Sequence, residues 1–422
     1  MRRLLALAAA VAAVSVSVPV AVQASPAAPP DREFVVQVTI EDRRVVPIGL
    51  DRAADWGDVI IESGSATSPG LTEGTYLRRG IAYDANHLGV QDTYQLSFPE
   101  GNLVFQESAF WSGAGVAALL GGTGEFRGAR GSALRTVGDG TQEWRITILG
   151  DRRVDLSKPT VMEFERELVD TSRITLASPG STVGNMTRTL GRLLDDSKAV
   201  ADYTAISTVV QDLSGSLERR AVQAMFEFSD RGTLFVNGMI VADTSALPSV
   251  PTAYVISGGT GSFVGAAGYA EYLPPSTWRF TTFGLTPGAT PVQPTLRGPM
   301  TQTRYERVRT SGTAAGGTGD LVLAGGWIRA NGGPRGHYNV SAQSVERIDG
   351  RQSLLTLLQF AWGASDRVLV LGLTTTGAAD GPVAPVERAV IGGLGAYVGV
   401  SGSASMQPVL PTKWRITYHL MR

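Results

Sequence analysis

Gly258-Gly-Thr-Gly-Ser-Phe-Val-Gly-Ala-Ala-Gly-Tyr-Ala270 is the stretch that decides the fold, because the chain contains it three times. The related copies begin at Gly121 and Gly392, so the spacing is about 135 residues, the size of a domain. Counted from the first glycine, glycine recurs at offsets 0, 1, 3, 7 and 10 in every copy, an aromatic residue at offset 5 and alanine at offset 12. One such run could arise by chance in a glycine-rich chain, but three in register indicate a repeat.

A second shared element begins 20 to 23 residues after the first glycine of each run. It is a Trp-Arg pair that begins at Trp144, Trp278 and Trp414. Each unit therefore has a glycine turn, a strand of small residues, a variable loop and a closing Trp-Arg strand. The chain is predicted to hold three homologous domains over residues 31–150, 159–285 and 298–422.

Short alternating segments predict strands throughout each unit. In the stretch from Phe34 to Glu41, apolar residues at every second position give the period of two expected of a strand with one buried face. About eight such segments fit in each unit, separated by Gly, Pro, Asn and Asp. Glycine at a corner supplies positive φ and lets strands approach closely. The predicted fold class is all-β, with three tandem eight-stranded antiparallel β-barrels.

Composition and the amino terminus bear on location and partners. The 422 residues carry a net charge of −1, which argues against a nucleic-acid partner. A cationic start, an apolar run and Val22-Gln-Ala24 predict a signal peptide over residues 1–24, so the protein is expected to be secreted or exported to the cell envelope. An uncleaved anchor is the alternative; after cleavage no membrane contact is expected. The absence of cysteine excludes disulfides, and the preference for arginine over lysine is typical of a bacterial gene of high GC content.

The glycine run resembles the signature of the dirigent and allene oxide cyclase superfamily, most closely at Gly121 to Ala133. The resemblance covers the C-terminal third of each unit, and the remainder agrees in strand number and length. It implies a calycin-type barrel with an apolar cavity, acting on an apolar or phenolic small molecule without metal or cofactor. Plant members are commonly homotrimers, so three barrels in one chain could form a monomeric pseudo-trimer.

Other chemistries find little support in the motifs. The Gly-Gly-Thr-Gly turn precedes a strand and lacks a following Gly-Lys-Ser/Thr, which argues against a phosphate-binding loop. The chain has only His87, His337 and His419, and no two of them have the spacing of metal ligands. No Gly-x-Ser-x-Gly nucleophile motif is present.

The Trp-Arg pairs are the best candidates for a ligand site. Adjacent residues of a strand face opposite sides, so only one member of each pair can enter its barrel. A buried arginine would need a carboxylate partner. Glu165 and Glu306 on the first strands of the second and third units are candidates, whereas the first unit has Val35 near that position. The candidate ligand-binding residues are Trp144, Arg145, Trp278, Arg279, Trp414, Arg415, Glu165 and Glu306. The alternative is that tryptophan closes a barrel end while arginine lies on the surface.

Two functional hypotheses follow. The first is an exported barrel protein that binds a small molecule and steers its cyclisation, isomerisation or coupling, since restricting a reactive ligand can lower a barrier without a nucleophile or metal. The second is a non-catalytic secreted binding or structural repeat protein. Open barrel interiors would favour the first and filled interiors the second.

Overall fold

The computed structural model describes residues 31–48, 57–83, 89–110, 115–149, 154–176, 181–213, 216–243, 248–285, 296–310, 317–329, 335–348, 352–362, 365–375 and 384–421. These residues form three closed, eight-stranded antiparallel barrels in tandem, which confirms the predicted fold class. The predicted signal peptide, residues 1–24, lies outside the described residues. Among the described residues, no helix is both long enough and apolar enough to cross a membrane.

Each barrel is a meander of consecutive strands whose last strand pairs with its first. Barrel 1 consists of β1 (Arg32–Val46), β2 (Val59–Thr67), β3 (Gly74–Ala82), β4 (Gly89–Phe98), β5 (Gly101–Phe110), β6 (Gly115–Gly122), β7 (Gly131–Val137) and β8 (Thr141–Ile148). Barrel 2 consists of β9 (Val154–Ile174), β10 (Met186–Asp195), β11 (Lys198–Asp212), β12 (Leu217–Phe228), β13 (Gly232–Asp243), β14 (Thr252–Gly259), β15 (Ala267–Leu273) and β16 (Thr277–Leu285). Barrel 3 consists of β17 (Arg297–Val308), β18 (Leu321–Arg329), β19 (Arg335–Glu346), β20 (Gln352–Trp362), β21 (Asp366–Thr375), β22 (Val386–Leu394), β23 (Ser401–Leu410) and β24 (Lys413–Met421).

The repeated glycine run forms the same corner in each barrel, between the sixth and seventh strands. A single 3₁₀ turn there covers Gly124–Phe126, Gly261–Phe263 and Gly395–Tyr397. The first residue of each turn is glycine with φ of 57°, 59° and 61°, a left-handed conformation that a side chain disfavours. The aromatic residue that ends the turn packs against other rings, with Phe126 5.9 Å from Phe34 and Tyr397 5.8 Å from Trp362 between ring centroids. The predicted conformational role of the corner is therefore confirmed.

Strand alternation divides the apolar residues between two kinds of core. Inward residues such as Val36 and Val38, predicted from the period of two, are buried inside barrel 1, and barrels 2 and 3 have interior cores of their own. A further apolar core is shared by all three barrels, because it combines residues that face outward from each, including Ile61, Met225 and Leu369. The barrels therefore pack against one another around a common centre.

The first glycine of each repeat explains how the barrels approach at that centre. A Cβ atom built on Gly121 of barrel 1 would lie 2.5 Å from a methyl carbon of Val255 in barrel 2. The equivalent atom on Gly258 would lie 3.2 Å from Ile391 of barrel 3, and that on Gly392 would lie 3.5 Å from Ala118 of barrel 1. The contacts run from barrel 1 to 2, from 2 to 3 and from 3 to 1. This cyclic pattern is a pseudo-threefold arrangement within one chain.

Candidate functional site

The Trp-Arg pairs divide in the same way in all three barrels. Trp144, Trp278 and Trp414 face inward and are 0%, 7% and 4% exposed. Their arginine neighbours face outward. The Arg145 side chain is 69% exposed and pairs with Glu143 at 2.8 Å, and the Arg279 side chain is 40% exposed and pairs with Glu163 at 2.8 Å. Arg415 is exposed as well. The expectation that these arginines form the floor of a barrel pocket is therefore wrong, and only the tryptophans line the interiors.

The predicted acidic partners are also on the outside. Glu165 of β9 and Glu306 of β17 are exposed. Arg279 instead contacts Glu163 and, at 4.0 Å, Glu271. Strand closure places these carboxylates on the same outer face as the arginines, so the predicted Arg–Glu pocket is not formed inside any barrel. Ionisable groups do enter the interiors, but from other positions.

Strand registers show which interior positions are equivalent. Tyr76, Tyr203 and Tyr338 occupy the same place on the third strand of each barrel, opposite Leu96, Phe226 and Phe360, respectively. The inward tryptophan of the eighth strand is common to all three barrels. The three interiors share this tyrosine and this tryptophan but differ in the charged side chains around them.

Barrel 1 encloses a buried ionic network. Arg78 of β3 lies between two carboxylates, with Nη1 2.8 Å from Glu62 Oε1 and Nε 2.7 Å from Asp92 Oδ1. Arg135 of β7 donates from Nε to Glu107 Oε2 of β5 at 3.1 Å. All five side chains are buried. Because each charge faces an opposite charge at hydrogen-bond distance, the desolvation cost is offset within the barrel.

Neutral donors complete that network. The hydroxyl of Tyr76 donates to Glu62 at 3.1 Å and that of Tyr94 to Asp92 at 3.0 Å. Trp144 Nε1 donates to Gln142 at 3.0 Å. Burial and, secondarily, the neighbouring carboxylates raise the pKa of both tyrosines well above the usual value, so their hydroxyls remain protonated donors. The interior of barrel 1 is occupied by its own side chains, which satisfy one another.

Barrel 2 contains a cavity of about 50 Å³ with an aromatic lining. Its walls include Tyr203, Tyr254, Tyr272 and Trp278, and Arg166 lies over the Tyr272 ring at 5.1 Å. The indole nitrogen of Trp278 is buried and has no hydrogen-bond acceptor. Burial raises the pKa of Tyr203 to about 12 and raises that of Tyr254 further, so both phenols are neutral at physiological pH. The cavity offers flat apolar surfaces together with neutral hydrogen-bond donors.

Barrel 3 contains a cavity of about 40 Å³ whose lining is mostly apolar. Trp414 and Tyr338 lie in its wall, and the guanidinium of Arg388 enters from β22. Arg388 is 1% exposed and its Nη1 atom has no hydrogen-bond partner. Burial lowers the pKa of Arg388 to about 9, which reflects an environment unfavourable to its charge. Arg166, Arg388 and the buried ions of barrel 1 were not predicted from the sequence, although aligning the repeats shows arginine at 388 where the others have Ala117 and Tyr254.

A third cavity, of about 60 Å³, lies between the barrels near the pseudo-threefold axis. Residues of all three barrels line it, most of them facing outward from their barrels, and several of the outward-facing ones are polar: Arg79, Gln91, Gln106, Gln223, Asn237 and Gln343. The glutamine Nε2 atoms of Gln91 and Gln106 are buried without an acceptor. Over the part of the chain that the structure describes, no group of three or more His, Cys, Asp and Glu residues has the arrangement of a metal site.

The sequence and the structure were compared with those of known proteins. No family model matches the chain, and no curated protein matches it. Among solved structures, the chain is similar to pyocyanin demethylase, with 18% sequence identity over 30% of this chain and 100% of that chain, and a TM-score of 0.25. These comparisons do not identify the dirigent or the allene oxide cyclase family. The strand topology shows three closed eight-stranded barrels in tandem.

Proposed function

We propose that this chain is an exported small-molecule-binding protein of the dirigent and allene oxide cyclase type, in which barrel 2 holds and orients an apolar or phenolic ligand. The observation that carries the proposal is the aromatic cavity of barrel 2, where Trp278 has an unsatisfied indole N–H. Aromatic walls bind flat apolar groups, while a few polar groups set the orientation of the ligand.

The tyrosines suit orientation of a ligand better than proton abstraction. Because burial raises the pKa of Tyr203 and Tyr254, their hydroxyls donate hydrogen bonds at neutral pH and are poor bases. A barrel of this kind would act by restricting the conformations of a reactive ligand, which needs no cofactor. A space of about 50 Å³ holds only a few water-sized groups, so the ligand is small or inserts one end.

A second candidate is a non-catalytic binding or structural repeat protein. The observation that favours it is the interior of barrel 1, where Glu62, Arg78 and Asp92 are paired with one another and leave no charge for a ligand. Under either candidate, barrel 1 serves mainly to build the shared core.

Binding of 4-fluorophenol, followed by fluorine NMR, tests the proposal. Ala224 of β12 lines the barrel 2 cavity, and the equivalent position in barrel 1 is Tyr94. Ala224→Tyr should therefore fill the cavity and abolish binding. Tyr254→Phe removes one hydroxyl without adding volume and should weaken binding several-fold, since a hydrogen bond contributes about 1 kcal/mol. Arg388→Met, which changes another barrel, is the matched control and should bind as the wild type does.

Two results would contradict the proposal. One is a wild-type protein that does not bind the phenol, and the other is equal binding by the wild type and a folded Ala224→Tyr variant. If Ala224→Tyr does not fold, Tyr254→Phe provides the test, and phenol binding as tight as that of the wild type would contradict the proposal.

A further inference from the structure

The guanidinium of Arg388 is buried in barrel 3 with few partners. Its Nη2 atom donates to the hydroxyl of Thr374, and its Nε atom lies 3.2 Å from the sulfur of Met406. A thioether is a weak acceptor, and Nη1 has no acceptor. None of the residues that line this cavity is acidic. The positive charge is therefore held in an apolar interior, and none of the described residues around it supplies a counter-charge.

Barrel 1 shows how arginine side chains that point into a barrel interior, Arg78 and Arg135, are accommodated. There the carboxylates of Glu62, Asp92 and Glu107 surround the two arginines. Asp92 pairs across the strands with Glu107, and the pair in the same place of barrel 3 is Thr356 with Gly372. Glu62 pairs with Arg78, and the equivalent pair is Ala324 with Val340. All three acidic positions are thus neutral in barrel 3.

An unpaired buried charge costs several kcal/mol relative to a paired one, so a natural chain rarely keeps it without a use. Methionine already occupies the position equivalent to Arg135, at Met406, so barrel 3 accommodates an apolar side chain in this region. Arg388 is retained although neutral residues stand at all three of these positions and no described residue of the cavity wall is acidic, which points to a negative charge supplied from outside the chain.

We infer that barrel 3 binds the carboxylate group of a small organic acid, with Arg388 as its counter-charge and Tyr338 as a second donor. The hydroxyl of Tyr338 is buried in the cavity wall without a partner. A guanidinium presents parallel N–H groups that match the two oxygens of a carboxylate. One cation balances one monoanion. The lining by Met300, Leu358, Met406 and Trp414 suits an apolar body, and about 40 Å³ limits its size.

This inference rests on the proposed function only in taking the barrel interiors as ligand sites. The test is isothermal titration of the mature full-length chain with acetate, butanoate and hexanoate, each compared with the carboxamide of the same length. At least one carboxylate should bind with one site per chain, and its carboxamide should bind ten-fold or more weakly because charge-assisted hydrogen bonds are lost. Chloride and inorganic phosphate are titrated in parallel.

Two variants localise the effect. Arg388→Met should lose carboxylate binding and, in the absence of acid, unfold at a higher temperature than the wild type because an unpaired charge has been removed. Thr356→Asp restores an acid equivalent to Asp92. Thr356 Oγ1 lies 3.4 Å from the Thr374 hydroxyl that accepts from Arg388, so the new carboxylate should neutralise the arginine and exclude the ligand.

Several outcomes overturn the inference: no carboxylate binds, carboxamides bind equally well, chloride or phosphate binds at least as tightly, or Arg388→Met retains full affinity. These outcomes are separable from failure of the proposed function, which concerns phenol binding in barrel 2. Ala224→Tyr should abolish phenol binding and leave carboxylate binding intact, while Arg388→Met should do the reverse.

Discussion

Replacement of Arg135 by methionine tests the ionic interior of barrel 1 against the apolar interior of barrel 3. Methionine is the residue at the equivalent position in barrel 3, so the change in shape is one that the fold already tolerates. In barrel 1, however, it leaves the Glu107 carboxylate at 1% exposure without its 3.1 Å partner. Stranding one member of a buried ion pair costs about 3–5 kcal/mol, a large part of the stability of a typical domain, which is about 5–15 kcal/mol.

The double variant Arg135→Met/Glu107→Gln separates charge from packing. If the cost of the single variant comes from the stranded carboxylate, neutralising it should recover most of the loss, with a coupling free energy above about 1 kcal/mol. Because three barrels need not unfold in one step, the appropriate assay is urea titration followed by hydrogen exchange and mass spectrometry. Peptides from β4, β5 and β7 then report barrel 1 separately from the other barrels.

Arg145→Met provides the matched control, since Arg145 lies near Arg135 in the structure but its side chain is 69% exposed. We expect peptides of barrel 1 in this variant to exchange as in the wild type. The reasoning is refuted if Arg135→Met leaves the exchange of barrel 1 unchanged, or if the double variant is destabilised by the sum of its two single substitutions.

Two further predictions concern packing. Gly121→Ala should destabilise the chain by about 1–3 kcal/mol, the usual cost of overpacking, because the new Cβ would lie 2.5 Å from Val255. Gly392→Ala should be neutral or slightly stabilising, because its Cβ would lie 3.5 Å from Ala118, an ordinary contact distance. Equal midpoints of thermal unfolding for the two variants would contradict the cyclic contact pattern. Phe126→Ala should cost about 3–5 kcal/mol because the ring is buried at the corner of barrel 1, while Tyr397→Ala at the half-buried equivalent should cost less, as measured by urea unfolding. A larger effect at Tyr397 would show that corner burial does not govern barrel stability.

The interior sites illustrate why local pattern was insufficient. The period of two establishes that Trp144 and Arg145 face opposite sides of β8, but not which of them is inside. That choice depends on closure of the barrel, which buries the face carrying the larger apolar area. The prediction of an Arg–Glu pocket assigned the arginines to the wrong face, although its alternative, with arginine on the surface, agrees with the structure for all three pairs.

Buried ionic pairs were missed because their members are distant in sequence and belong to different strands. Glu107 and Arg135 are 28 residues apart and meet only through the register and curvature of β5 to β7. Arg388 carries no local motif, and its significance follows from the neutral residues on β18, β20 and β21 that replace the acids of barrel 1. The role of such a side chain depends on its neighbours in space, which the sequence alone does not give.

The amino-acid sequence by itself determined the number of barrels, their strand character and their corners, because a recurring glycine with positive φ and an alternating apolar pattern are local properties of the backbone. Only the tertiary structure decided which faces were enclosed and how the three barrels share an apolar core. It also decided that barrel 1 pairs the two arginines of its interior with carboxylates, whereas Arg388 of barrel 3 lines a cavity without an acidic residue in its described wall. Those outcomes depend on contacts between distant strands, whose register and closure are set by the packing of the whole chain.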